Sequence, residues 1–463
     1  MNSSSRLPTA NGCGPFPRGC WIRMARPRPF AIRRGTRTMS DAERSMAVLP
    51  GGSNGEFNLP PEQTMVIQRG EGCTLWDTNG LRYLDFSMGW GSALVGHARP
   101  EVTEAVLRQA PLGANFSYVN ENMLALAEEL VRLSPALERV RFCASGTEAT
   151  MYCQRLARAA TGRTTILKFE GAYHGANEIG VTSLFPDALH DFPQPEPSSA
   201  GIEAMVSEHV LIAPFNDLET TRGILQAHAG EVAAVIIEPL HRCVPARDGF
   251  LAGVQAAARE AGALLIFDEV VTGFRLAYGG AQEYYGVVPD LVAYGKALGG
   301  GYPIGAFGGR ADVMDLVTES RMNEERYVWT ASTLGGNPIS TAAALAALEV
   351  FRQEGTYTYL HELGHYFRNE LRCALDDHGV TAQVIGDGPL AQVIFAPHDI
   401  IDYRTAHAAD RARGRRLMLA LFARGIFLNP MGTKLYLSLA HTEETCDEFR
   451  TCFEQALKDI ERE

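Results

Sequence analysis

The sequence predicts an α/β protein with a mostly parallel central sheet flanked by helices, followed by a separate α+β domain. Three observations carry that prediction. Between residues 139 and 308, seven short apolar runs alternate with stretches of helical spacing, the order that builds a parallel sheet covered on both faces. Those runs are continuous rather than alternating, as strands buried on both faces require. After Asn337-Pro338 the pattern changes to long helical stretches separated by isolated strands.

The chain begins with a basic leader. Residues 1–38 carry eight arginines and no acid, together with Pro15, Pro17, Pro27 and Pro29. Taken from a net charge of −12, those eight charges leave −20 on the rest. The composition fits an organellar transit peptide. It fits equally an over-extended start, because Met39-Ser40-Asp41-Ala42-Glu43 reads as an ordinary N-terminus, and this second account is preferred. Either way residues 1–38 are expected to be disordered or absent from the mature protein, and they are excluded from the fold.

An N-terminal segment, 39–95, opens with a helix-compatible run that breaks at Pro50-Gly51-Gly52. Residues 64–69 and 74–86 then alternate apolar and polar, with turns at Glu71-Gly72 and Asn79-Gly80, so a small β-meander is expected. The large domain, 96–337, starts with helices at 100–110 and 121–133, the latter capped by Asn120. Its strands are expected at 139–144, 164–169, 209–213, 232–237, 263–267, 290–294 and 304–308, with a surface loop at Asp191 to Ser199. The C-terminal domain, 338–463, has helices near 339–353, 358–378, 409–424 and 443–461, and strands near 391–396 and 434–439.

Composition excludes several classes of function. An acidic balance argues against a nucleic-acid partner, and no stretch approaches the ~18 apolar residues of a membrane span. The nine cysteines show no CxxC spacing and read as thiols of a cytoplasmic protein, with import into an organelle only if the leader is genuine. No metal is expected.

The chemistry concentrates at 263–301. The apolar run Ala263 to Phe267 ends on Asp268 and Glu269, and the run Asp290 to Tyr294 ends at Gly295 and Lys296, before Gly299-Gly300-Gly301. In an open α/β sheet, ligands lie outside the carboxyl ends of the strands. A buried lysine there has a lowered pKa and can form a Schiff base, and an acid one strand away can pair with a pyridine nitrogen. That is the partnership of a pyridoxal 5′-phosphate enzyme; a buried Asp–Lys ion pair is the plainer alternative. Earlier strand ends add to it. Ser145, Gly146 and Thr147 open a helix, where unpaired N–H groups bind anions, although Ser-x-x-Glu with Glu148 is also an ordinary cap. Tyr173 and His174 follow the second strand, and Glu238 ends the fourth.

In order, SGTEA (145–149), GAYHG (171–175), EP (238–239), DEVVTGFR (268–275), GKALGGGYPIGAFGG (295–309) and TLGGNP (333–338) resemble the motifs of a class III, fold type I aminotransferase. GWGSALVGH (89–97) and LSLAHTEE (437–444) resemble most the glutamate-1-semialdehyde aminomutase branch. The resemblance spans about residues 45–460. It implies a fold in which the C-terminal part and an N-terminal segment form the smaller domain. It implies Lys296 as the Schiff-base lysine and general base, and Asp268 as partner of the ring nitrogen. Tyr173 and Val270 would pack on the two ring faces. Ser145, Gly146 and Thr147 would hold the phosphate, and His174 and Glu238 would lie beside the cofactor. Thr333 would complete the phosphate site of the other subunit of a homodimer, and Trp90 would line the substrate side.

Three positions depart from the aminomutase pattern. Asn58 stands where a carboxylate-binding arginine is found, Met431 to Lys434 lacks a glutamate, and Cys243 or a neighbour replaces an asparagine. The expected function is therefore ping-pong transfer of an amino group from an amine or amino acid to a carbonyl acceptor. A donor carboxylate would be held by Arg242, Arg321, Arg326 or Lys434, although a solvated surface charge is the plainer reading of each. An aminomutase is the alternative, and a non-catalytic cofactor-binding regulator a remote third.

Overall fold

The computed structural model describes residues 39–55, 58–428 and 434–461. The basic leader lies outside the described residues. Ser40 and Glu43 form a reciprocal cap on the first helix, Asp41–Val48. Strands β1 (Ile67–Glu71), β2 (Thr74–Asp77) and β3 (Arg82–Asp85) then form the expected antiparallel meander. Helices Pro100–Gln109 and Glu121–Leu133 follow, and the Asn120 side chain accepts from Met123 N as a cap.

Seven strands form the central sheet: β4 (Arg139–Cys143), β5 (Thr165–Phe169), β6 (Val210–Ala213), β7 (Val232–Ile237), β8 (Leu264–Asp268), β9 (Leu291–Tyr294) and β10 (Gly305–Gly309). Their spatial order is β4-β10-β9-β8-β7-β5-β6, and only β10 runs against its neighbours. Every residue of β5, β6, β7 and β9 is buried, which is why their sequences, Thr165 and Lys168 of β5 excepted, are apolar without alternation. The reversed strand is the glycine-rich GAFGG. A Cβ on Gly305 would lie 2.2 Å from Ser145 O, and one on Gly308 2.2 Å from Arg139 O. Glycine at these positions lets β10 seat against β4 and the turn that follows it.

The chain leaves the sheet through helix Pro338–Phe351, whose small residues Ala343, Ala344 and Ala347 are fully buried. Beyond it, β11 (Gln383–Ile385) and β12 (Leu390–Ile394) pair antiparallel. Two short strands follow, β13 (Ile426–Phe427) and β14 (Lys434–Tyr436). Strand β14 pairs with β12, while β13 joins the meander beside β3. The smaller α+β unit is thus built from both chain ends. Phe86, after the meander, stacks on Phe367 at 5.2 Å and meets Phe449 at 4.6 Å. Pattern reading extended the last strand to 439, whereas the ladder ends at Tyr436. It also gave no sign of β11 or β13, which are too short to show a period.

Gly305→Ala is expected to destabilise the protein by about 1–3 kcal/mol, because the new methyl group meets backbone that cannot rotate away. Urea unfolding checks this, and an unchanged midpoint would mean that the turn at Ser145 can yield.

Candidate active site

Five of the parallel strands end on one edge of the sheet, and each delivers a polar group there. Ser145 follows β4, Tyr173 and His174 follow β5, Glu238 follows β7, Asp268 ends β8, and Lys296 follows β9. A cavity of about 710 Å³ opens at that edge. Gly146, Thr147, Tyr173, Glu238, Asp268, Val270 and Lys296 line it, with Trp90 reaching it from the segment after the meander. Three expected residues do not line it: Ser145, His174 and Thr333.

Each of those three has an evident place. Ser145 caps helix Gly146–Thr161: its Oγ accepts from Glu148 N at 3.2 Å, and Glu148 in turn accepts from Ala144 N at 2.7 Å. His174 is fully buried behind Asp268, with Nδ1 2.8 Å from Asp268 Oδ2 and Nε2 without a partner among the described residues. Thr333 is exposed, and its carbonyl accepts from Asn115 Nδ2 at 3.1 Å.

Strand geometry separates the two adjacent acids, since neighbouring extended residues point to opposite faces. The Asp268 carboxylate faces the cavity, accepting also from Val270 N at 3.1 Å. Glu269 points into the protein and accepts from Ala281 N, Gln282 N, Gln282 Nε2 and Thr272 Oγ1 at 2.6–3.2 Å. Burial pushes its carboxyl up to about 7. Lys296 has a left-handed backbone, φ 43°, which a non-glycine residue adopts only under constraint. The lysine is half-buried, open only toward the cavity. The surrounding protein withholds enough water to pull its amine down to about 8, although Asp268 pulls the other way.

The loop carrying Tyr173 and His174 is tied by a residue that pattern reading passed over. Lys168, inside β5, is fully buried, and its Nζ donates to the carbonyls of Ala172, Ile179, Gly180 and Thr182 at 2.6–3.2 Å. Burial pulls its amine down to about 7. The only sequence signal was a lysine inside an otherwise apolar strand, TILKF. A Cβ on Gly175, φ 90°, would lie 2.6 Å from Thr147 Cα, so the loop packs directly on the helix start.

The outer wall contains Phe185, Arg242, Gln392, Lys434, Tyr436 and the backbone turn at Asn54-Gly55. Of the four candidate carboxylate holders, Arg242 and Lys434 line the cavity. Arg321 and Arg326 do not: Arg321 pairs with Glu324 at 2.7 Å on an exposed turn, and Arg326 reaches Ala160 O at 3.5 Å. Asn58 lies outside the cavity, with its carbonyl held by Arg415. Cys243 is fully buried against Ala391 O. Met431 falls outside the described residues.

The arrangement suits a planar, anionic ligand that bonds to an amine. A 16-residue helix points its N-terminus into the cavity, a carboxylate is fixed opposite, and a partly neutral lysine stands between walls of aromatic and branched side chains.

A family model described as aminotransferase class-III matches residues 59–457. The glutamate-1-semialdehyde 2,1-aminomutase of Thermomicrobium roseum is 39% identical over 91% of this chain and 97% of its own length. Among solved structures, an omega-transaminase from Sphaerobacter thermophilus superposes with a TM-score of 0.85 at 35% identity, over 91% of this chain and 97% of that one. A transaminase with pyridoxal phosphate bound gives a TM-score of 0.81 at 28% identity, over 91% and 96%.

A lowered amine pKa makes Lys296 reactive at lower pH than a surface lysine. In cofactor-free protein, its labelling by formaldehyde and cyanoborohydride should rise with pH through about 8, because only the neutral amine reacts. Exposed lysines follow at about 10.4. Peptide mass spectrometry across the pH range checks this; a Lys296 profile matching the surface lysines would contradict it.

Proposed function

The chain belongs to the class-III aminotransferase family, and on that premise we propose that it moves an amino group between two separate molecules, from an amine or amino acid to a carbonyl acceptor. Pyridoxal 5′-phosphate is the cofactor of this family, and the cavity fits it. The phosphate would lie at the start of helix Gly146–Thr161, against Gly146 and Thr147, with Ser145 shaping the turn. Tyr173 and Val270 offer an aromatic and a branched surface for the two ring faces. His174, buried behind Asp268 and bonded to it, orients the carboxylate for the ring nitrogen, and Glu238 sits beside it on the same edge.

When bound, the cofactor supplies an aldehyde that bonds to amines and a ring that withdraws electrons. The chain's own residues do the rest. Lys296 would hold the cofactor through its amine and, when free, would serve as the base that moves a proton at the substrate carbon. Its depressed basicity keeps part of it neutral near pH 8, so it can act as the base. Asp268, lining the cavity and held by His174, would pair with the ring nitrogen. The walls of Trp90, Phe185 and Tyr436 exclude water from the reacting carbon.

The observation that carries transfer between two molecules, rather than within one, is the neutral Asn54-Gly55 turn in the cavity wall, with Asn58 outside the cavity and its backbone carbonyl bonded to Arg415. The curated relative from Thermomicrobium roseum, named an aminomutase, favours the second reading. A homodimer is part of the proposal. Exposed Leu112, Phe116, Tyr118 and Val119 lie on the segment that Asn115 ties to Thr333, beside exposed Trp329 and Leu334. Such an apolar patch marks an association surface, and it carries Thr333 outward, as reaching the other subunit's phosphate requires. A cytoplasmic location accords with the free thiols of Cys73, Cys143, Cys153 and Cys243.

Mixing the loaded enzyme with an amino donor and no acceptor should convert the cofactor to its aminated form and release one equivalent of carbonyl product. Conversion without any released carbonyl, seen only with an amino-aldehyde, would establish the aminomutase instead. Light scattering should give twice the chain mass, and Thr333→Ala should weaken cofactor binding by about tenfold to a hundredfold, the worth of one hydrogen bond to a charged group. Unchanged affinity would remove Thr333 from the phosphate site.

A further inference from the structure

We propose that Arg242 recognises the carboxylate of the substrate, so that the enzyme takes amino acids in preference to neutral amines. The inference rests on the aminotransferase reading and deepens it.

Arg242 stands five residues past the end of β7, half-buried in the cavity wall. Its backbone is left-handed, φ 60°, and three hydrogen bonds hold it there. The amide donates to Glu238 Oε2 at 3.3 Å, the carbonyl accepts from Lys434 Nζ at 2.8 Å, and the side-chain Nε donates to Gly171 O at 3.0 Å. The guanidinium carbon lies 5.7 Å from the Tyr173 ring centre and 5.5 Å from that of Phe185. An arginine between two aromatic rings is fixed in direction.

Its charge is not spent inside the protein. Among the described residues no side-chain carboxylate pairs with the guanidinium. The nearby acid, Glu238, bonds instead to the Arg242 amide and stands 3.7 Å from His241 Nδ1. Lys434 braces the Arg242 turn, since its Nζ donates to the Arg242 carbonyl and lies 5.0 Å from the Tyr436 ring centre. Among the described residues the terminal nitrogens of Arg242 have no hydrogen-bond partner, which leaves a planar fork on a residue lining the cavity that holds Lys296. A carboxylate is the group that accepts from such a fork through two parallel bonds. Along the sheet edge, β7 is two strands from β9, roughly 10 Å. A long arginine side chain bridges that gap to a substrate whose amine is at Lys296. The aromatic walls then leave the substrate's remaining substituent an apolar place.

The test uses loaded enzyme, wild type against Arg242→Gln and Arg242→Lys, with matched donors that differ only by the carboxylate. These are phenylglycine against benzylamine, and 3-amino-3-phenylpropanoate against 1-phenylethylamine. Titration with benzoate, which cannot react, reports carboxylate binding directly by calorimetry. Arg242→Gln should lose on the order of a hundredfold in kcat/KM for whichever amino acid is a substrate, and a similar factor in benzoate affinity. It should change by less than about threefold with the neutral amine, and Arg242→Lys should recover part of the loss. The cofactor's visible spectrum and dissociation constant should stay those of wild type. Equal losses for acid and amine, or benzoate binding that ignores the substitution, would overturn the proposal. Weakened cofactor binding would assign Arg242 to the phosphate and equally overturn it. If no donor converts the wild-type cofactor, the aminotransferase reading fails, while the benzoate titration still decides the role of Arg242.

Discussion

The candidate active site depends on β8 and β9 lying side by side and pointing the same way. That single parallel pairing sets Asp268 and the turn before Lys296 at adjacent strand ends, and the ladder Ile266–Leu291, Phe267–Val292, Asp268–Ala293 fixes their register. A slip of one residue would turn Asp268 into the interior and bring Glu269 to the cavity. The register is held because both strands are buried on both faces, so any shift would strip apolar side chains from two packed layers at once. The reversed, glycine-rich β10 then brings β4 and the helix start within reach of the same edge.

A second theme is how the protein keeps charge in its interior. Lys168 is surrounded by four carbonyls, and Glu269 by four donors: Ala281 N, Gln282 N, Gln282 Nε2 and the Thr272 hydroxyl. Among the described residues neither has an oppositely charged partner bonded to it. Burial shifts both toward neutrality, the lysine down and the acid up, which lessens the cost of keeping them inside. Both groups hold loops: Lys168 the segment with Tyr173 and His174, Glu269 the connection between β8 and β9. Backbone groups in irregular loops need partners, and a buried ion satisfies several at once. Arg242 differs from both: it lines the cavity, and among the described residues its terminal nitrogens have no hydrogen-bond partner.

Much of this was legible beforehand because the signals were local. Continuous apolar runs showed the parallel strands, and the caps Asn120 and Ser145 marked helix starts through their own side-chain chemistry. Asn79-Gly80 marked the meander. Short elements were not legible: β13 spans two residues and exists only because β3 offers it an edge. The carboxylate candidates show the same limit. Arg242, Arg321 and Arg326 are alike as letters, yet Arg321 meets Glu324 three residues away while Arg242 meets two aromatic rings and a carbonyl 71 residues distant.

The sequence by itself determined the alternation of buried strands and helices, and with it the edge at which Ser145, Tyr173, Glu238, Asp268 and Lys296 would gather. Those features follow from periodicity and from the rule that parallel strands end on one side. Only the tertiary structure decided which face each group takes and what it touches: Asp268 on the cavity and Glu269 away from it, His174 behind the carboxylate, Asn58 outside, Arg242 inside. Such choices depend on contacts between residues tens to hundreds of positions apart, and no local pattern along the chain encodes a contact that exists only after the sheet has closed.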